Sequence, residues 1–203
     1  MTGRSKRAEA ALGFRAHSGW ACAVIVSGAV DNVSVVDRRR VTLCDSAIKG
    51  SKQPLHEAEP MPFAKAEAFI ARCTHATDRR SGDTIAMLRT FADSRGLRLA
   101  RACLITASGR ALPDLRGILA SHALIHSAEG EFYRDALARA AQDAGLTVSR
   151  VREKDAAMWS ANRLGRGEGE LRERLAQIGK ALGPPWGADE KLATMAAWLA
   201  LTE

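Results

Sequence analysis

Apolar positions along the chain change their period from segment to segment, and those changes divide it into elements. Residues 12 to 27 and 30 to 44 carry the pattern of extended chain. Val24-Ile25-Val26 is a β-branched run, Ser27-Gly28 supplies a turn, and Asn32-Val33-Ser34-Val35-Val36 resumes alternation. An antiparallel pair of strands plus a third is expected there. From Asp45 to Pro62 the period is lost, and Gly50, Pro54, Pro60 and Pro62 predict a long loop. Helical spacing begins at Phe63: Ala64, Ala68, Ile70 and Ala71 share a face, and a break is expected near Ser81-Gly82. Ile85, Leu88 and Phe91 carry a second piece towards Ser94, with Gly96 in C-cap position. Leu97 to Thr106 reads as a buried strand. Pro113 opens a helix towards His126, a further helix runs from about Gly130 to Asp143, and Leu146 to Val151 alternates as the last strand. Beyond Glu153, Leu171, Leu175 and Ile178 recur at helical spacing, Gly183-Pro184-Pro185 stops that helix, and Ala188 to Leu201 closes the chain. The order predicts a single α/β domain over residues 11–203. Its helical extension begins at about 153, and residues 1–10 form a flexible basic tail.

Composition narrows the class. The 203 residues suit one domain, and an apolar fraction of 46% excludes global disorder. No apolar run approaches the roughly 18 residues of a membrane span. Met1 to Glu9 is basic and polar, unlike a secretory signal, so the expectation is a cytoplasmic protein with no membrane partner. The four cysteines are widely spaced with no C-x-x-C pair, which removes the usual zinc and redox motifs. A net charge of +7 is concentrated in Arg4-Ser5-Lys6-Arg7, Arg38-Arg39-Arg40 and Arg79-Arg80, and it favours phosphate-rich partners, DNA or RNA. Aromatic content of 5% does not advertise a base-stacking platform.

Several short motifs share one direction. Gly13 to Ile25 is a strand, a tight turn and a strand, with Ser18-Gly19-Trp20-Ala21 at its centre. Gly145 to Lys154 is a strand followed by a lysine-containing turn, and Gly187-Ala188-Asp189-Glu190-Lys191-Leu192-Ala193 opens the last helix. Together with the element order these resemble the ribonuclease H-like superfamily, in layout the RuvC-type junction resolvases. The resemblance implies a ribonuclease H-like mixed sheet and a carboxylate site for two metal ions. Arg15 stands where that family has its first aspartate. The strand ending Leu104-Ile105-Thr106-Ala107-Ser108-Gly109-Arg110 brings no acid. Glu153 or Asp155 and Asp189 or Glu190 remain near the family site. Two-metal hydrolysis needs about three or four converging carboxylates. The expected function is therefore that of a catalytically degenerate nucleic-acid-binding protein, holding phosphates through Arg15, Arg38, Arg39 and Arg40. The amides of Ser18 and Gly19 beside Arg15 offer a further anion nest.

Two other functional classes have candidate residues. His122, His126 and Glu129 fall on one helical face if the helix is unbroken, and that donor set suits a divalent metal. Ser127 reads as an N-cap, which would separate them. His56 lies with Glu57 and Glu59 between Pro54 and Pro60 and can add a ligand. A hydrolase with a rearranged site would draw on His17, Ser18, Ser108, His122, His126 and His56. The cofactor stays open between a divalent metal and none tightly bound. A structural adaptor would instead use Trp186 and Trp198 to form a homodimer. Trp159 either anchors its helix or marks a partner surface.

Overall fold

The computed structural model of the protein describes residues 7–107 and 111–203. Ser108, and Met1 to Lys6 of the expected tail, lie outside them. Strands β1 (Ala8–His17), β2 (Trp20–Ala29) and β3 (Asn32–Thr42) are followed by helices α1 (Pro54–Ala58) and α2 (Phe63–Ser94). Then come β4 (Leu97–Thr106), α3 (Leu115–Leu119), α4 (His122–Asp143), β5 (Thr147–Arg152), α5 (Glu153–Leu164), α6 (Glu168–Leu182) and α7 (Ala188–Leu201). One sheet has the order β3-β2-β1-β4-β5. β1 pairs antiparallel with β2 and parallel with β4, β2 pairs antiparallel with β3, and β4 pairs parallel with β5. The α/β mixed sheet expected from the sequence is present.

Both faces of this sheet are covered, which is why its central strands read as continuous apolar runs rather than strict alternation. Leu12, Phe14, Ala23 and Ile25 face the layer that holds Leu88 of α2 and Leu137 of α4. Ala11, Cys22, Val24 and Cys103 face α7, whose residues from Ala193 to Ala200 are all buried. The seating of α7 depends on Gly13. A Cβ there would fall 1.8 Å from the carbonyl oxygen of Ala193 and 2.5 Å from the amide nitrogen of Ala197. Only a residue without a side chain lets the helix backbone lie directly on β1.

Beyond the sheet, α2 is long enough (32 residues, about 48 Å at 1.5 Å per residue) to build a satellite core. Phe69, Ile70 and Cys73 of α2 pack there with Leu55 and Ala58 of α1 and Ile125 of α4. The buried Tyr133 hydroxyl donates to the carbonyls of Ser51 at 2.5 Å and Lys52 at 3.1 Å, tying the chain before α1 to α4.

The differences from expectation have local causes. Ser81-Gly82 does not break α2, because Thr77, Ser81, Ile85 and Leu88 are buried in one continuous packed face. Tertiary packing outweighs the roughly 1 kcal/mol propensity cost of Gly82. The loop from Asp45 to Pro62 contains α1. The helix expected from Pro113 is the short α3, capped by Asp114 accepting from the Gly117 amide at 2.8 Å. α4 starts at His122 rather than near Gly130, and Ser127 is not its cap; within the helix its hydroxyl donates to the Ala123 carbonyl at 3.2 Å. β1 begins at Ala8, inside the expected tail. Trp198 is fully buried and donates to the Val30 carbonyl at 2.7 Å. Trp186 donates to the Leu175 carbonyl at 2.9 Å and lies against Gly179. Both indoles therefore anchor the C-terminal helices, Trp198 from the interior and Trp186 from a partly buried position. Trp159 and its neighbour Met158 are exposed. No described helix is long and apolar enough to cross a membrane.

Two outcomes follow. Gly13→Ala should cost about 3 kcal/mol or more in urea unfolding, because the clash is with backbone that cannot rotate away. A loss below about 0.5 kcal/mol would show that α7 is not seated as described. All four cysteines are free thiols. Burial pushes Cys22 up to about 12 and Cys73 and Cys103 to about 11. A thiol-specific disulfide reagent should label the half-buried Cys44 alone in the native protein and the other three only on unfolding.

Candidate functional site

The turn Ser18-Gly19 joins β1 to β2, with Gly19 at φ +82°, a left-handed conformation that favours glycine. The Gly19 carbonyl accepts from the Leu43 and Cys44 amides at 2.9 and 3.2 Å, locking the turn to the end of β3. Strand alternation then places Arg15 and His17 with Gly13, on the face that α7 covers. Arg15 Nη2 lies 2.7 Å from Glu153 Oε2, at the first residue of α5. His17 Nε2 lies 2.8 Å from Asp189 Oδ1, in the first turn of α7. Two of the four residual acids thus face β1, each already engaged by a base. The other two are used locally: Asp155 pairs with Arg152, and Glu190 accepts from the Gly187 amide at 2.7 Å, capping α7.

No family model and no curated protein matches the chain in sequence. In three dimensions it is similar to RuvC of Thermus thermophilus in complex with a Holliday junction substrate. That match has a TM-score of 0.53 at 11% identity and covers 96% of this chain and 93% of that one. A second Thermus thermophilus RuvC structure matches at TM-score 0.52 and 11% identity, over 95% and 93% of the two chains. The fold is ribonuclease H-like.

A pair of magnesium ions, which the resemblance implies for a ribonuclease H-like site, does not fit these residues. The Arg15 side chain is only 20% exposed, and a guanidinium stays protonated throughout the accessible pH range. Glu153 is bound to it. Asp189 is bound to His17, Asp155 to Arg152, and Glu190 caps α7. The number and charge of free carboxylates fall short of what two cations need.

The arginine triplet of β3 is divided by the strand period. Arg38 and Arg40 stand opposite Val24 and Cys22, on the α7 side, and Arg39 stands opposite Ala23 on the other. Arg38 Nη2 donates to the Leu182 and Pro184 carbonyls, each at 3.2 Å. Arg39 Nε donates to Asp37 Oδ2 at 2.5 Å, and its guanidinium lies 4.9 Å from the Phe91 ring centroid. The strand period thus gives Arg38 and Arg39 different partners. Arg40 is exposed, pairs with no carboxylate among the described residues, and lies 3.7 Å from the centroid of Trp20. The His17 ring stacks on that indole at 4.3 Å and 14°. A cleft of about 270 Å³ opens here, lined in part by Trp20, Arg38, Arg39, Arg40, Pro185 and Glu190.

Arg134 is a residue that sequence reasoning missed. It is 4% exposed on α4, and Gly130 leaves the space that its guanidinium fills, where a Cβ would fall 2.7 Å from Nη2. Burial lowers its pKa, and the charges of Arg15 and Arg150 lower it further against Glu131 and Asp135. Arg15 thus lies in electrostatic range of a second, buried arginine on α4. A lone arginine on an alanine-rich buried face was its visible signal.

The histidines separate into two groups. His17 is engaged with Asp189 and Trp20, in the turn that also carries Ser18. His56 of α1 meets His122 and His126 of α4, with one ring nitrogen from each lying within 4.8 Å of the others. Glu129, expected as a ligand beside His122 and His126, is not one. It is 2% exposed, and its Oε2 bonds His56 Nδ1 at 2.7 Å and accepts from the Leu55 and His56 amides at 3.2 Å. It caps α1 because α4 continues unbroken through Ser127 and turns the carboxylate inward. Burial raises its pKa, against the lowering effect of the His56 contacts.

The Arg15–Glu153 pair is half open to solvent on the acid side, at 45% exposure. Arg15→Gln should therefore reduce stability by no more than about 1 kcal/mol in urea unfolding. A much larger loss would make Arg15 a structural residue instead of a surface for ligand.

Proposed function

We propose that this protein binds nucleic acid on a ribonuclease H-like scaffold whose two-metal catalytic site has been replaced by fixed cations. The reading is carried by Arg15, a guanidinium held by Glu153 at the first-strand position where a nuclease of this layout would need an acid. A guanidinium there offers charge-assisted, geometrically defined hydrogen bonds to a phosphodiester. It does not lower the pKa of water or bridge attacking and leaving oxygens, as paired metals do. Binding without hydrolysis is the chemistry left to the site.

The surroundings support that reading. Arg134, buried beside Glu131, lies within electrostatic range of Arg15, and Arg40, braced by Trp20, lines the adjoining cleft. Arg38 and Arg39 also line that cleft, with carbonyl and carboxylate partners of their own. Net charge of +7 favours association with a polyanion. The similar RuvC structure contains a Holliday junction, so branched DNA is the first substrate class to compare with linear DNA and RNA.

The test is a salt series with labelled four-way junction, linear duplex and RNA. With about three phosphate contacts, affinity should fall about 40-fold between 50 and 200 mM salt. Arg40→Ala and Arg15→Gln should each reduce the log–log salt slope by about 1. Magnesium should leave every substrate intact. Binding indifferent to salt, or magnesium-dependent cleavage lost in Asp189→Asn, would sink the proposal.

A further inference from the structure

We propose a second site, separate from the nucleic-acid surface: a divalent cation of the zinc class bound by the Nε2 atoms of His56, His122 and His126. Four observations converge on it. First, α4 presents His122 and His126 on one face, and their Nε2 atoms stand 3.1 Å apart. Two nitrogens bound to one tetrahedral zinc at about 2.0–2.1 Å are about 3.4 Å apart, so this pair is already near ligating separation.

Second, His56 is brought to the same point by α1, and its Nε2 is buried with no hydrogen-bond partner among the described residues. A buried polar atom left unpaired is costly, and an imidazole nitrogen aimed at two others is relieved by a shared cation.

Third, the tautomers are set from outside. Glu129 takes His56 Nδ1 at 2.7 Å, and Glu59 takes His122 Nδ1 at 3.1 and 3.2 Å. Each carboxylate holds the Nδ1 proton and leaves Nε2 as a free lone pair. Carboxylate–histidine pairs of this kind orient metal-binding imidazoles and raise their basicity.

Fourth, hydrogen bonding within the cluster does not complete it. His126 can donate to His122, but His56 Nε2 then still lacks a partner. Protonating the imidazoles instead would set like charges against one another, their ring centroids being 4.6 to 5.6 Å apart. All-imidazole donors favour zinc, cobalt, nickel or copper over magnesium or calcium. Three protein ligands leave a fourth position for water, the pattern of open zinc sites. Such a cation would clasp α1 to the start of α4, where the satellite core ends.

The experiment uses untagged full-length protein grown with zinc and analysed for metal by mass spectrometry. The metal-free form is then titrated with Co2+ and followed by ligand-field absorption. About one zinc per chain and a tetrahedral cobalt band are expected. His126→Ala removes an exposed side chain, so circular dichroism should be unchanged while zinc affinity falls at least about 100-fold. Glu129→Gln should weaken binding by about 10- to 100-fold. Wild-type protein that takes up neither metal, or a His126→Ala variant that binds as tightly as wild type, overturns the proposal. Neither result bears on the salt-dependent DNA binding, which rests on other residues.

Discussion

The contact of α7 with β1 at Gly13 is the constraint on which the arrangement of the whole α7 face depends. Helix backbone rests on strand backbone with no side chain between them, so the position of α7 has little freedom. That seating carries the first turn of α7 to the end of β1, where Asp189 meets His17, and it places Glu190 and Pro185 at the edge of the cleft under Trp20 and Arg40. It also buries Trp198, whose indole then finds the Val30 carbonyl at the far end of β2. A side chain at residue 13 would lift the helix and disturb all of these contacts together.

The charged side chains at the end of β1 are paired with acids from the helices packed against it. In two-metal chemistry, carboxylates gather to hold positive charge beside phosphate. Here the positive charge is covalent. Arg15 is paired with a half-exposed Glu153, and Arg134 is buried on α4 beside Glu131. The His17–Asp189 contact belongs to the same architecture, fastening the turn to α7.

The satellite core performs a different task on the opposite side of the chain order. α2 overruns the sheet, and its first half with α1 and α4 encloses Glu129 among apolar neighbours. The capping of α1 by that carboxylate and the orientation of His56 are one interaction seen from two ends: the oxygen that accepts the Leu55 and His56 amides also holds the imidazole. The local geometry of three histidines thus depends on a buried acid that touches only one of them.

Much of the fold was legible in the chain because strand and helix periods are local properties. The β-branched run at Val24 to Val26, the alternation at Asn32 to Val36, the glycines closing α2 and α4, and the Gly183-Pro184-Pro185 stop all follow from backbone preference. The sequence by itself also determined that the first strand carries a basic residue, Arg15, towards its end and no acid there, since that is read directly along the chain. Tertiary structure alone decided which charges remain available. Arg38 and Arg39 are adjacent in sequence yet alternate across the strand, Arg38 reaching the carbonyls of Leu182 and Pro184 and Arg39 pairing with Asp37 of its own strand, while Arg40 keeps an open guanidinium. It alone decided that α2 passes through Ser81-Gly82, because a packed face outweighs a propensity penalty. It also brought His56 across 66 residues to His122 and removed Glu129 from the ligand set. Elements follow from interactions between near neighbours in the chain. Sites follow from which distant side chains are left without partners once those elements have packed.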